Sequence, residues 1–345
     1  YVQSAILILE QAISAALFLY IISRAFIGEF LIGTLVTYTR CIANIKSSTQ
    51  SLLAQISSMY QNMLYIKQYY DFLDQQPHHT CKKRLAQTRL VNSIPFIEIK
   101  NLSYRYQGQS GYAVNALNLR IEKNDLVAFI GRNGSGKTTL IKILSTLYDD
   151  YEGEVYFGEN EIRELEVNNV RSKIGILFQD FVRYELPIRE NVGFGQLSKL
   201  NDDSAIYTAL SQAGLNNRFK NLDLQLGVWF ENGVQLSGGE WLKVGLSRVF
   251  MRDADLYLLD EPNAALDPIS EKQILNDFKK LTSGKIGIIV SHRISSIKNV
   301  ANKIVVFDEG KVQAVGTHEQ LMKTSAIYRE MYENEQGQKE DGKNA

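Results

Sequence analysis

The sequence predicts an α/β domain with a parallel sheet at its centre over residues 94–333, standing behind two apolar helical runs. Three observations carry this expectation. After Ile94, short apolar strands alternate with helical stretches. A glycine-rich loop over 131–138 lies between an apolar strand and a helical run. Before residue 46 the chain is dominated by apolar runs long enough to compare with the hydrocarbon thickness of a bilayer.

From Val2 to Ile22 the residues are almost all apolar or small and Glu10 is the only charge, so a spanning helix is expected over 2–23. A break at Arg24–Glu29, containing Gly28, precedes a second apolar run from Phe30 to Ile45 that is interrupted by Arg40; a second span is expected over 30–50. A cleaved signal peptide is disfavoured, because no basic stretch precedes the first run and another apolar run follows it. Arg40, Lys46, Lys67 and the Lys82-Lys83-Arg84 run place the far end of the second span in the cytoplasm. Leu52, Leu53, Ile56, Met59, Met63, Ile66 and Tyr70 keep helical spacing, so that helix is expected to continue to about residue 73. Residues 1–74 thus read as the C-terminal part of a transmembrane domain. The stretch 75–93, with Pro77, His78 and His79, reads as a linker, and 334–345 as a mobile polar tail. The chain opens at Tyr1 inside an apolar run, which is expected of a piece of a longer protein.

Composition narrows the classes. Among 345 residues, 38 Lys and Arg balance 38 Asp and Glu, which disfavours a nucleic-acid partner. The two cysteines, Cys41 and Cys81, offer neither a disulfide framework nor metal-ligand spacing.

The sharpest chemical signal is Gly131-Arg132-Asn133-Gly134-Ser135-Gly136-Lys137-Thr138, directly after Leu126–Ile130 and before the helical run Thr139–Leu147. Glycines let a backbone wrap a phosphate chain with its N–H groups turned inward, and the helix start adds partial positive charge. Lys137 is expected on the β- and γ-phosphates and Thr138 on Mg²⁺, with Thr139 supporting the loop. A second apolar strand, Leu256–Leu259, ends in Asp260-Glu261-Pro262, at the carboxyl edge where α/β sheets bind ligands. Asp260 is suited to hold the hydration shell of Mg²⁺, and Glu261 to orient or deprotonate an attacking water. Leu236-Ser237-Gly238-Gly239-Glu240 opens a further helical run, leaving N–H groups free for an anion.

With these motifs in this order the sequence resembles the ATP-binding cassette family. The resemblance implies two composite ATP sites in a head-to-tail dimer, with Ser237, Gly238 and Gly239 closing on ATP held by the partner's phosphate loop. In that family the Leu-Ser-Gly-Gly segment matched by Leu236–Gly239 is the signature, and its usual fifth residue, glutamine, is replaced here by Glu240. The remaining positions follow residue by residue. Tyr106 matches the aromatic that stacks on adenine, while Tyr104 reads as strand core. Gln179 matches the glutamine that contacts Mg²⁺ and water and joins the catalytic site to the membrane domain. Asp267, in Ala264-Ala265-Leu266-Asp267, matches the loop that crosses to the other subunit, although Asn263 stands where serine or threonine is common. His292 matches the histidine that holds the γ-phosphate. His318, within Thr317-His318-Glu319-Gln320, fits a capping box instead.

The segment around Glu231 and the two N-terminal runs resemble parts of an exporter half-transporter, which implies a multi-pass protein of the cell membrane with its cassette in the cytoplasm. Three stretches, 178–186, 225–230 and 302–306, are similar to nisin-type lantibiotic exporters and imply a precursor peptide as cargo. A multidrug or lipid half-transporter stands as the alternative. Two other classes stay open: a soluble cassette ATPase, which would lack apolar runs and join two cassettes, and an ATP-binding fragment that moves nothing.

Overall fold

The computed structural model describes residues 2–28, 32–74, 89–216, 218–262 and 267–341, without the side chains of 2–10, 32, 268 and 338–341. The chain divides into two compact units, 1–78 and 79–345. The first holds α1 (Val2–Phe26) and α2 (Ile32–Leu73), with Lys46 Nζ donating to Gln11 Oε1 at 2.7 Å. The turn expected near Gly28 is there, at φ 84°. Among the described residues no helix is long and apolar enough to cross a membrane. In α2 the physical reason is composition: Arg40, Lys46 and a run of threonines and serines dilute the apolar stretch. In the first run, with a span expected over 2–23, the side chains of residues 2–10 lie outside the described ones.

The second unit contains β1 (Phe96–Tyr104), β2 (Val114–Glu122), β3 (Leu126–Gly131), α3 (Lys137–Leu144), β4 (Glu152–Phe157), β5 (Asn160–Glu161), α4 (Val167–Ser172) and β6 (Ile174–Leu177). It continues through α5 (Ile188–Gly193), α6 (Asp203–Gln212), α7 (Gly238–Met251), β7 (Leu256–Asp260), α8 (Pro268–Leu281), β8 (Ile286–Val290) and α9 (Ile294–Ile297). It closes with β9 (Lys303–Asp308), β10 (Lys311–Gly316), α10 (His318–Thr324) and α11 (Ala326–Asp341). A six-stranded sheet runs β10-β9-β3-β8-β7-β6; its pairs are parallel except β9 with β10. The expected parallel sheet is therefore present. A second sheet, β2-β1-β4-β5, is antiparallel.

The central strands are buried on both faces, which is why β3, β7 and β8 read as unbroken apolar runs. Strand alternation then sorts β3 between two cores. Leu126, Ala128 and Ile130 join Trp241 and Leu246 of α7 and Phe278 of α8. Val127 and Phe129 face the other way, onto Leu140 and Leu144 of α3 and Ile97 and Phe157 of the antiparallel sheet. Helices α5, α6 and α7 pack on one another as the helical subdomain that carries the Ser237 segment.

Two boundaries differ from expectation. Among the described residues packing is already present at Arg89, before 94: Arg89 bridges to Leu165, Val91 is buried, and the Val91 N–H donates to Asn169 Oδ1 at 2.8 Å. The rest of the expected linker, 75–88 with His78 and His79, lies outside the described residues. The stretch expected as a mobile tail from 334 is helical to Asp341. It is held because the Glu335 carboxylate accepts the N–H and the hydroxyl of Ser295, while Tyr332, one turn earlier, accepts from Lys298 Nζ at 2.7 Å.

Candidate functional site

Strand β3 delivers the glycine-rich loop to the sheet edge and α3 begins at Lys137. Gly136, the N-cap, sits at φ 98°, and a Cβ there would lie 2.4 Å from Ala113 O, so glycine alone lets the loop close this tightly. Lys137 is 5% exposed. Its Nζ donates to Gly131 O and Arg132 O, both at 2.8 Å, and to Ser135 Oγ at 3.3 Å. Burial pulls its pKa down, against the opposing pull of Glu261 and Asp260.

Strand β7 brings the two carboxylates to the same edge. Asp260 is 1% exposed; its Oδ1 accepts from Thr138 Oγ1 at 3.3 Å, and its Oδ2 is buried without a hydrogen-bond partner among the described residues. Burial raises its pKa, opposed by the Thr138 hydroxyl and, more weakly, by Lys137. Glu261, the next residue, leaves the strand at φ 49°, a left-handed conformation rare outside glycine, asparagine and aspartate. Its N–H donates to Val290 O at 3.1 Å, which fixes that turn to β8. Its carboxylate thereby meets two other predicted residues: Oε2 accepts from Gln179 Nε2 at 3.1 Å and lies 3.6 Å from His292 Nδ1.

An open cavity of about 580 Å³ runs from Tyr106 over Asn133 to Thr139 and ends at Gln179 and Glu261. The Tyr106 hydroxyl shares a hydrogen bond with Thr139 Oγ1 at 3.0 Å, and its ring meets Tyr104 and Tyr148 edge-on, with centroids 5.2 and 5.9 Å away. Gln109, Gly111, Tyr112 and Ala113 line the same space and had no motif to mark them; only their position between Tyr106 and β2 could have pointed to them.

Other predicted residues stand elsewhere. The Arg132 side chain turns away to Glu330 of α11 at 3.2 Å, leaving its carbonyl to Lys137. Ser237, Gly238 and Gly239 open α7 and do not line this cavity. Ser237 Oγ accepts from the Glu240 N–H at 3.3 Å, while Glu240 Oε2 accepts from the Ser237 N–H at 2.9 Å, a complete capping box. Glu240 also pairs with Arg218 at 2.7 Å, which holds its carboxyl below the usual range. Asp267 caps α8, accepting from the N–H groups of Ile269 and Ser270 at 3.1 and 3.0 Å. Residues 263–266 lie outside the described residues. His318 follows Thr317 in the expected capping box and its Nδ1 bonds the Tyr328 hydroxyl at 2.7 Å.

Residues 114–264 match the model of the ABC transporter family. The chain is 37% identical over 329 residues to the subtilin transport ATP-binding protein SpaT of Bacillus subtilis, covering 94% of this chain and 53% of that protein. It is 39% identical over 320 residues to the nisin transport ATP-binding protein NisT of Lactococcus lactis subsp. lactis, covering 91% and 53%. An ATP-dependent lipid A-core flippase of Bordetella avium matches at 27% over 90% of this chain and 52% of its own length. Among solved structures, a bacterial Atm1-family ABC exporter with ATP bound superposes at a TM-score of 0.70 with 23% identity, over 96% of this chain and 57% of that one, a likeness of fold. The chain spans about half the length of the curated relatives it matches. A glycine-rich loop, paired carboxylates, a glutamine and a histidine converge on one sheet edge in or beside the matched stretch, and residues 114–264 are an ATP-binding domain of the ABC transporter family.

Proposed function

We propose that this chain is the ATP-binding and ATP-hydrolysing part of a membrane ABC exporter, working with a second copy or a homologous half-transporter in a head-to-tail ATP sandwich. The observation that carries this reading is the meeting of Gln179 and His292 on one oxygen of Glu261, beside the phosphate loop. A carboxylate fixed by the Gln179 amide, with the His292 ring 3.6 Å from the same oxygen, is positioned to orient a water and take its proton. Lys137 and the loop N–H groups would bind the β- and γ-phosphates, and Tyr106 would stack on the adenine.

The site fits Mg²⁺. Asp260 Oδ2 is a buried acceptor with no hydrogen-bond partner among the described residues, and Thr138 adds a hydroxyl beside Oδ1, an oxygen set suited to a hard cation. Bound there, Mg²⁺ would neutralise charge developing between the β- and γ-phosphates. Thr138, Asp260 and Gln179 are its proposed holders.

Ser237–Gly239 open a helix whose N–H groups suit an anion, yet they lie outside the cavity that holds Lys137. That placement favours their use on a partner's nucleotide. In sedimentation of the chain carrying Glu261→Gln, MgATP is expected to convert monomer to dimer and ADP is not. A monomer in both would remove the sandwich. The likeness to subtilin and nisin transport proteins and to an ABC exporter, rather than α1 or α2 as described, supports a place in the cell membrane with the cassette in the cytoplasm. The higher identity to subtilin and nisin transport proteins than to lipid A-core flippases favours a lantibiotic-type precursor peptide as cargo. ATP-dependent export of a lanthionine peptide by vesicles holding this chain would support that cargo, and movement of lipid alone would remove it.

A further inference from the structure

The segment from Val182 to Asn191, which follows Gln179, is gripped from both sides of Ser237. On one side Glu185 holds the turn that leads into the signature. Its Oε2 accepts the N–H groups of Val228 and Trp229 at 3.0 and 2.9 Å, and its carbonyl accepts from Gln225 Nε2 at 2.7 Å. The carboxylate lies flat against Gly227, where a Cβ would stand 2.2 Å from it and where φ is 88°. The turn returns through Gly227 N–H to Val234 O at 3.0 Å and Val234 N–H to Gln225 O at 2.9 Å, then runs into Leu236 and Ser237. Trp229 at its tip is 85% exposed, so packing does little to hold it. The carboxylate supplies what packing does not.

On the other side Arg248 reaches out of α7. Its guanidinium donates to Val182 O and Asn191 Oδ1, both at 2.7 Å, and to Asn191 O at 2.8 Å, and lies 4.7 Å over the Tyr184 ring. These partners are carbonyl oxygens and a ring, so the contact works by fixed geometry, and a lysine could not reproduce the fork.

We propose that Glu185 and Arg248 are positioning residues that lock the 182–191 segment to the signature turn and helix, so that nucleotide contact at Gln179 in one site sets the posture of Ser237 for the other. This rests on the sandwich reading above. The test uses the whole chain in the Glu261→Gln background, measuring ATP affinity of the monomer and the protein concentration of half-dimerisation with MgATP. Glu185→Ala is expected to leave monomer affinity within about twofold and to raise that concentration about tenfold or more, as loss of two hydrogen bonds to a charged acceptor implies. Glu185→Gln should restore it to within about threefold, because one amide oxygen can accept both N–H groups. Arg248→Lys should behave like Glu185→Ala. Trp229 supplies a readout without substitution at either residue: its acrylamide quenching should change with MgATP and not with ADP, since Trp241 is buried. Unchanged dimerisation in both Glu185→Ala and Arg248→Lys, equal losses of affinity and dimerisation, failure of Glu185→Gln to rescue, or a Trp229 blind to MgATP would each overturn the proposal. A background protein that never dimerises sinks the sandwich reading itself, and this inference with it.

Discussion

Gln179 Nε2 donates to Glu261 Oε2 at 3.1 Å, although the two residues stand 82 positions apart and on different strands' ends. The carboxylate is aimed by its left-handed backbone at φ 49° and by that amide. Glu261→Gln keeps the shape and leaves Asp260 in place, so ATP should still bind. Turnover should fall by roughly 10²- to 10⁴-fold, the range for a positioned general base. Steady-state phosphate release decides this, and retained turnover would transfer the role to another group, His292 first.

Lys137→Ala removes the buried ammonium that now rests on the loop carbonyls. Charge-assisted hydrogen bonds of this kind contribute about 1.5–3 kcal/mol each, so ATP affinity should fall at least about tenfold to a hundredfold. Equilibrium binding of a fluorescent nucleotide would measure it.

Ser237→Arg places bulk at the start of α7, away from the cavity that holds Lys137. The monomer should bind ATP as before while dimerisation with MgATP in the Glu261→Gln background disappears. Dimerisation indifferent to this change would remove Leu236–Glu240 from any trans phosphate site.

Glu240 ties pH to the start of the signature helix. Its folded-state pKa is held below the ordinary 4.5, first by Arg218 and then by the Ser237 N–H. The unfolded state therefore binds its proton more readily, so this contribution is present above about pH 4.5 and is lost as pH falls. Glu240→Gln keeps the cap and loses the charge pair, costing about 0–1 kcal/mol at neutral pH and flattening that acid limb in denaturant titrations at several pH values.

Ending the chain at Glu333 removes the Glu335 carboxylate from Ser295. A hydrogen bond to a charged group contributes about 1.5–3 kcal/mol, so the shortened chain should melt several degrees lower. An unchanged melting temperature would return residues 334–341 to the status of a tail.

The places of the glycine-rich loop, the Asp260-Glu261 pair and the Ser237 segment were legible because each couples a local backbone demand to a residue type within a few positions. The sheet edge they share was legible from Leu126–Ile130 and Leu256–Leu259, since strands buried on both faces read as apolar runs. The antiparallel sheet was not predicted, although β2 alternates buried and exposed residues along much of its length. Arg89 and Val91 looked like linker because what holds them, Leu165 and Asn169, lies far along the chain. Glu335 looked like tail for the same reason. Gln109–Ala113 joined the cavity through a turn with no motif of its own. Arg132 belonged to the loop by sequence, and only Glu330 across the fold decided where its side chain went.

The place of β3 in its sheet also sets when the site can exist. Its partners are β8 and β9, and the bond from Leu126 N–H to the Asn302 side chain spans 176 positions. Closing contacts over such separations is entropically costly and slow. A growing chain on the ribosome has the complete loop sequence long before it has either flanking strand, and until Asp308 has emerged β3 has an open edge. Nucleotide capture is thus a late event in the life of each molecule, and during synthesis Leu126–Gly131 is an apolar segment that must be kept from pairing with the wrong neighbour.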